Sequence, residues 1–278
     1  MYDTFSRSWE LARASASVLR SDRELLLFPV LSGLCTALVG AAFVLPALAL
    51  RVFADGIGLG SVAFALAFGF VQYAVVVFFS CALAGAALIR LEGGDPTMAD
   101  GLRAACARLG PILGYAAIAA TVGALLQGLR RRGRNVGTRA LGAGLGAAWA
   151  MANFLVVPVL VSRDLGAIAA LRESAALLRR TWGENAVGQV GIRVAGGLLA
   201  TGVAVAGVVL AVLAAQASPL LGIAVAALAG PAWLLVVIAQ AALRVVYAAA
   251  LYRYATTGEA PAAFRQAGLE QAFLPAAA

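Results

Sequence analysis

The sequence predicts an all-α fold: a polytopic membrane bundle of six transmembrane helices arranged as three hairpins, with amphipathic surface helices between them. Three observations predict it. Several apolar runs exceed the roughly 18 residues that a bilayer crossing needs. The chain is 63% hydrophobic and 12% charged, against about 25% charged in a soluble domain. The charges sit at the borders of the apolar runs, where they meet headgroups and set orientation.

Residues 2–19 form the first candidate interfacial helix. Tyr2, Phe5, Trp9, Ala12, Ala16 and Leu19 recur at steps of three and four and share a face, while Asp3, Arg7, Glu10, Arg13 and Arg20 take the other. Such a helix lies in the headgroup plane or packs on the protein's own spans. The first 24 residues mix four arginines with four acids and do not read as a cleavable leader. Ser21-Asp22-Arg23-Glu24 fits a capping box ahead of the first span, residues 25–50, where Pro29 stands near the start. A short Gly-containing turn leads to the second span, residues 61–89.

The linker from Arg90 to Arg108 carries turn chemistry at Gly93-Gly94-Asp95-Pro96. It then carries a short helix, residues 97–108, with Met98, Leu102, Ala105 and Leu109 on one face. The third span is 109–129, the loop 130–139 holds five arginines, and the fourth span is 140–162. A third interfacial helix, 164–182, places Leu165, Ile168, Leu171, Ala175, Leu178 and Trp182 on its apolar face, and Gly183 is a plausible terminator. From Val194 to Leu243 fifty residues carry no formal charge. One helix of that length would be about 75 Å long, so the stretch must fold back. The turn is placed at Gln216-Ala217-Ser218-Pro219. That gives spans at 191–215 and 220–254, the last bent near Pro231. The Gly142–Gly146–Ala150 series and the Gly56–Gly60 pair permit close helix approach, within one chain or between two.

Arginine placement orients the bundle. With six spans, 15 arginines fall on the side of the termini and 6 on the other, which predicts cytoplasmic termini in the cell inner (plasma) membrane. The loop 130–139 dissents, either as protruding helix ends or as a binder of anionic headgroups. Three exits also look alike: AALIRLEGGDPTMADGLRAA, VLVSRDLGAIAALRESA and AALYRYATTGEAPAAFRQA. Each leaves an apolar run through an arginine (Arg90, Arg163, Arg253), turns, and reaches Leu/Phe-Arg. This is the mark of an internal repeat, or of a composition rich in alanine.

The blocks FSRSWELARASASVLRSDRELLLFPVLSG, NFLVVPVLV with LRESAALLRRTWGENAVGQVGI, and ALYRYATTGE resemble an uncharacterised family of prokaryotic six-span membrane proteins. More distantly, the chain is similar to the membrane domain attached to some glycerophosphodiester phosphodiesterases. The catalytic domain of those relatives has no counterpart here. The resemblance implies a fold and no catalytic residues.

The residues exclude much chemistry. All 21 basic residues are arginine and histidine is absent, so a histidine base, a lysine Schiff base and a P-loop are ruled out within this chain. None of the 13 carboxylates falls inside an expected span, which argues against a proton relay. Cys35, Cys81 and Cys106 have no metal-site spacing. No catalytic residue, cofactor or metal is expected. The formal charge of +8 reads as contact with lipid headgroups, not nucleic acid.

Arg244 lies nine residues before Arg253, about 13 Å deeper on a regular helix. Gln240 is one turn earlier, and Asn153 lies at nearly the same depth in the matching exit. These three form a candidate intramembrane polar cluster for an anionic lipid group. Alternatively, Arg244 snorkels to the interface or binds carbonyls freed around Pro158. Arg90, Arg163, Arg179, Arg180 and Arg253 are the candidate headgroup contacts. The expected function is a non-enzymatic membrane adaptor or lipid-interacting scaffold, with a protein partner in the membrane possible. The alternative is a small permease or lipid transporter with a polar interior near Asn153 and Arg244.

Overall fold

The computed structural model describes residues 15–19, 22–49, 52, 58–132, 136–182, 188–259, 261 and 264, without the side chains of residues 23, 130–141 and 180–200. Nine α-helices occur among them: α1 Leu27–Ala49, α2 Leu59–Leu91, α3 Met98–Ala107, α4 Leu109–Arg132, α5 Val136–Ala152, α6 Val156–Ser162, α7 Ala167–Trp182, α8 Gly188–Ala217 and α9 Pro219–Thr257. Residues 2–14 of the expected N-terminal helix, Gly183 and most of the tail lie outside the described residues.

Among the described residues, five stretches are long and apolar enough to cross a membrane: Glu24–Ala49, Leu59–Leu91, Leu109–Leu129, Gly142–Ser162 and Pro219–Thr257. The expected span 191–215 falls within α8, a helix of 30 residues. Its described apolar stretch, Thr201–Ala217, is shorter than a crossing requires.

Local chemistry sets the helix starts. Asp22 Oδ1 accepts the Glu24 N–H at 3.1 Å and opens a 3₁₀ turn, Arg23–Leu26, that runs into α1. Ser61 Oγ accepts the Gly58 N–H at 2.9 Å at the start of α2. Thr97 and Asp100 cap α3 reciprocally. Ser218 accepts the Leu221 N–H at 3.1 Å, with Pro219 as the first residue of α9, where its missing N–H is not needed. Pro231 lies inside α9, which runs unbroken for 39 residues, about 58 Å.

The hub is α2, which packs against α1, α3, α4, α6 and α9. Its second half, Cys81–Ala87, is buried, as are Ile112 and Tyr115 of α4, Val156, Val159 and Leu160 of α6, and Val246–Tyr252 of α9. The short helices complete this core. Gly101 of α3 sits so close to the Ala82 carbonyl and the Phe28 ring that an added Cβ would lie 2.6 Å from each. Gly85 has the same role facing Ala104 and Val161. By contrast, the packing of α8 is almost entirely against α9.

Of the expected apolar face of α7, Leu178 is buried and Leu165 and Leu171 pack against the core, while Ile168 is 59% exposed. Ala170, Ser174 and Leu177 are buried beside them, and the Ser174 hydroxyl finds a backbone partner.

Candidate functional site

The described ion pairs gather at one end of the bundle, where α2, α6 and α9 end and α3 and α7 begin. Arg90 closes the α2–α3 turn, donating to the Gly94 carbonyl at 3.3 Å and pairing with Asp95 at 2.9 Å. Gly93 makes this turn possible with φ of 90°, a conformation only glycine adopts readily. Glu24 accepts the Met98 N–H at 2.9 Å and ties the chain before α1 to the first turn of α3. Arg108, between α3 and α4, pairs with Asp164 in the α6–α7 link.

Arg163 donates to Glu173 of α7 at 2.8 Å and to the Tyr252 hydroxyl of α9 at 3.3 Å. The Tyr252 hydrogen bond is the largest influence holding its pKa above the ordinary arginine value, and Glu173 adds to it. Arg253 of α9 donates to the Leu91 carbonyl at the end of α2. Arg163 and Arg253 therefore hold the ends of α2, α6 and α9 to one another and to α7, while Arg90 closes its own turn. Each exposed pair contributes little alone; hydrogen bonds that satisfy terminal carbonyls contribute more. Arg179 is exposed, and the side chain of Arg180 lies outside the described residues. Asp100, in the first turn of α3, has its pKa lowered by hydrogen bonds from the Thr97 hydroxyl and N–H and by Arg103.

Deeper in, the fourth span is broken. α5 ends at Ala152 and α6 starts at Val156. Pro158 has no N–H and its ring would clash with the carbonyl four residues back, so it is best placed in the first turn of a helix, where it lies in α6. That placement ends α5 upstream of it. Backbone irregularity at membrane depth survives only where its polar groups are satisfied. Asn153 N–H donates to the Trp149 carbonyl at 3.0 Å and Phe154 N–H to Met151 at 3.1 Å. Leu155 N–H donates to Ser174 Oγ of α7 at 3.1 Å. The surface helix thus supplies the acceptor that the broken span lacks. Ser174 escaped the sequence reading because a serine in an amphipathic helix ordinarily faces water. Pro158 was the available signal for the break.

Asn153 lies in this break, and its Oδ1 accepts the Tyr115 hydroxyl of α4 at 3.0 Å. Tyr115 is in ring contact with Tyr73 of α2 at 6.2 Å, and Phe154 with Tyr247 of α9 at 6.2 Å. Gln240 is half-buried, with its amide nitrogen buried and lacking a hydrogen-bond partner among the described residues. Arg244 is exposed, as snorkelling to the interface requires. The partner found for Asn153 is therefore a residue outside the expected trio. The Phe154–Tyr247 contact brings the break to α9 one turn from Arg244. Among the described residues no group of His, Cys, Asp or Glu could hold a metal ion.

Against known proteins, residues 59–262 match the model of a family described as a family of unknown function, DUF6159. No curated protein and no solved structure matches the chain significantly.

Proposed function

We propose that this chain, which belongs to the family of unknown function DUF6159, is a non-enzymatic membrane adaptor or lipid-interacting scaffold. The observation that carries this reading is the clamped end. Arg163 ties α7 to the end of α6, Arg253 ties α9 to α2, and Arg90 closes the turn into α3, whose first N–H is held by Glu24; together they build a platform. Arg103, Arg172 and Arg179 remain exposed around it, positioned for anionic headgroups or a protein partner in the membrane.

In this reading the bundle has six spans in three hairpins, α8 being the fifth, and both termini are cytoplasmic in the inner (plasma) membrane. The 15-to-6 arginine asymmetry supports that side. The repeat is supported by sequence at three exits and by packing at the first two. Ala82 lies eight residues before Arg90 and touches Gly101; Leu155 lies eight before Arg163 and bonds Ser174. Gly101 and Ala170, each preceding a Leu-Arg pair, are both buried.

The broken span favours a second reading, a small permease or lipid transporter with a polar interior near Asn153 and Arg244. Discontinuous helices line the substrate sites of many transporters. Native mass spectrometry of the purified chain separates the two. A scaffold retains phosphatidylglycerol, cardiolipin or a protein, and the Arg172→Gln, Arg179→Gln double variant loses it. Uptake of a lipid into proteoliposomes with no such retained partner would favour the permease.

A further inference from the structure

We propose that the break between α5 and α6 binds an uncharged, lipophilic molecule through a carbonyl oxygen, with Asn153 Nδ2 as donor and Tyr73 and Tyr115 beside it. An amide within an apolar span is costly unless its groups are used. The backbone of the break does not use this one. Its N–H groups go to the Trp149, Met151 and Asn153 carbonyls and to Ser174 Oγ. The Asn153 side chain caps nothing there.

The side chain is nonetheless held. The Tyr115 hydroxyl donates to Oδ1, which fixes the amide and leaves Nδ2 with two N–H donors. No partner for Nδ2 is found among the described residues. Nδ2 is not among the buried unpartnered atoms, so it is open to an acceptor from outside the bundle. Tyr73, in ring contact with Tyr115, is 36% exposed and leads from the membrane-facing surface toward Asn153. The rings found around the break, Tyr73, Tyr115, Phe154 and Tyr247, carry no charge, and the cation one turn from Tyr247, Arg244, has an interaction of its own. A charged headgroup at that depth needs a counter-charge; a quinone or ester carbonyl needs only a donor and an apolar wall. The inference requires occupancy alone and holds for a scaffold or a permease.

The test uses the full chain in phosphatidylcholine nanodiscs, with Trp9, Trp182 and Trp233 replaced by Phe. Trp149, whose carbonyl accepts the Asn153 N–H, then reports alone. Decylubiquinone is titrated and its quenching recorded. Quenching is expected to saturate, with the midpoint about tenfold higher in Asn153→Leu and about threefold higher in Tyr73→Phe, the losses expected for one or part of one hydrogen bond. Competition by dioleoylglycerol would assign the acceptor to an ester; no competition would assign it to a quinone ring. Quenching that rises without saturation and equally in all three proteins is bilayer partition and overturns the proposal. Should Asn153→Leu fail to fold, Tyr73→Phe decides, since Tyr73 is 36% exposed and the substitution keeps its ring.

Discussion

The two ends of the bundle are built differently from similarly apolar helices. At the clamped end, α2, α6 and α9 are buried among small residues, and α3 and α7 are pressed against them closely enough that glycine is required at 101. Toward the other end, Leu45, Leu48, Leu59 and Leu228 are 66%, 70%, 89% and 76% exposed. Within a membrane that surface meets acyl chains, and lipid solvates a leucine as well as another leucine does. The difference teaches where the fold is specified. Burial of apolar area cannot order helices in lipid, so close approach and hydrogen bonding must, and both concentrate where the surface helices dock.

The largest expected effect tests that contrast. Gly101→Val drives a branched side chain into the Ala82 carbonyl and Phe28 and should destabilise by about 3 kcal/mol, read as a lowered thermal midpoint by circular dichroism in detergent. Ser174→Ala orphans the buried Leu155 N–H and should lose about 2 kcal/mol, with Ser174→Thr recovering part of it. Arg253→Met removes the tie to the Leu91 carbonyl and should lose about 1 kcal/mol, together with faster amide exchange at the end of α2. Leu48→Ala, at the exposed end, should change stability by less than about 0.5 kcal/mol. If Leu48→Ala matched Gly101→Val, the contrast between the ends would be wrong.

The smallest effect is a pH dependence. Hydrogen bonds from Thr97 lower the pKa of Asp100 in the folded chain. Its contribution is therefore present above the ordinary carboxylate value of about 4 and is lost as the pH falls through the lowered folded value. The gap in thermal midpoint between the parent and Thr97→Ala should narrow below about pH 4. A gap that widens there would contradict the assignment.

Much of the architecture was legible because it depends on uninterrupted apolarity. The expected 109–129 coincides with Leu109–Leu129, and 61–89 falls inside Leu59–Leu91. Ser218-Pro219 marks the fold-back through capping chemistry that is local in sequence. The rest was not legible because it is tertiary. Arg253 finds its carbonyl 162 residues away and Arg163 its tyrosine 89 residues away, so reading these arginines as headgroup contacts missed what they hold. The span 140–162 was read as continuous although Pro158 stands in it. Periodicity groups Ile168 with Leu171 and Leu178 but cannot show that Ser174 has a buried partner. Tyr115, the partner of Asn153, was passed over as one more aromatic in an apolar run.

The claim beneath all of this is that the clamped end lies on one face of the membrane and the junction of α4 and α5, whose helices run to Arg132 and from Val136, on the other. Cys106 is exposed on α3 and provides the first reporter. Arg134→Cys in a Cys106→Ser background provides the second. Labelling by a membrane-impermeant maleimide in spheroplasts and in inverted vesicles decides the matter. The account predicts that Cys106 reacts only in inverted vesicles and the cysteine at 134 only in spheroplasts; reaction of both from the same side would contradict it.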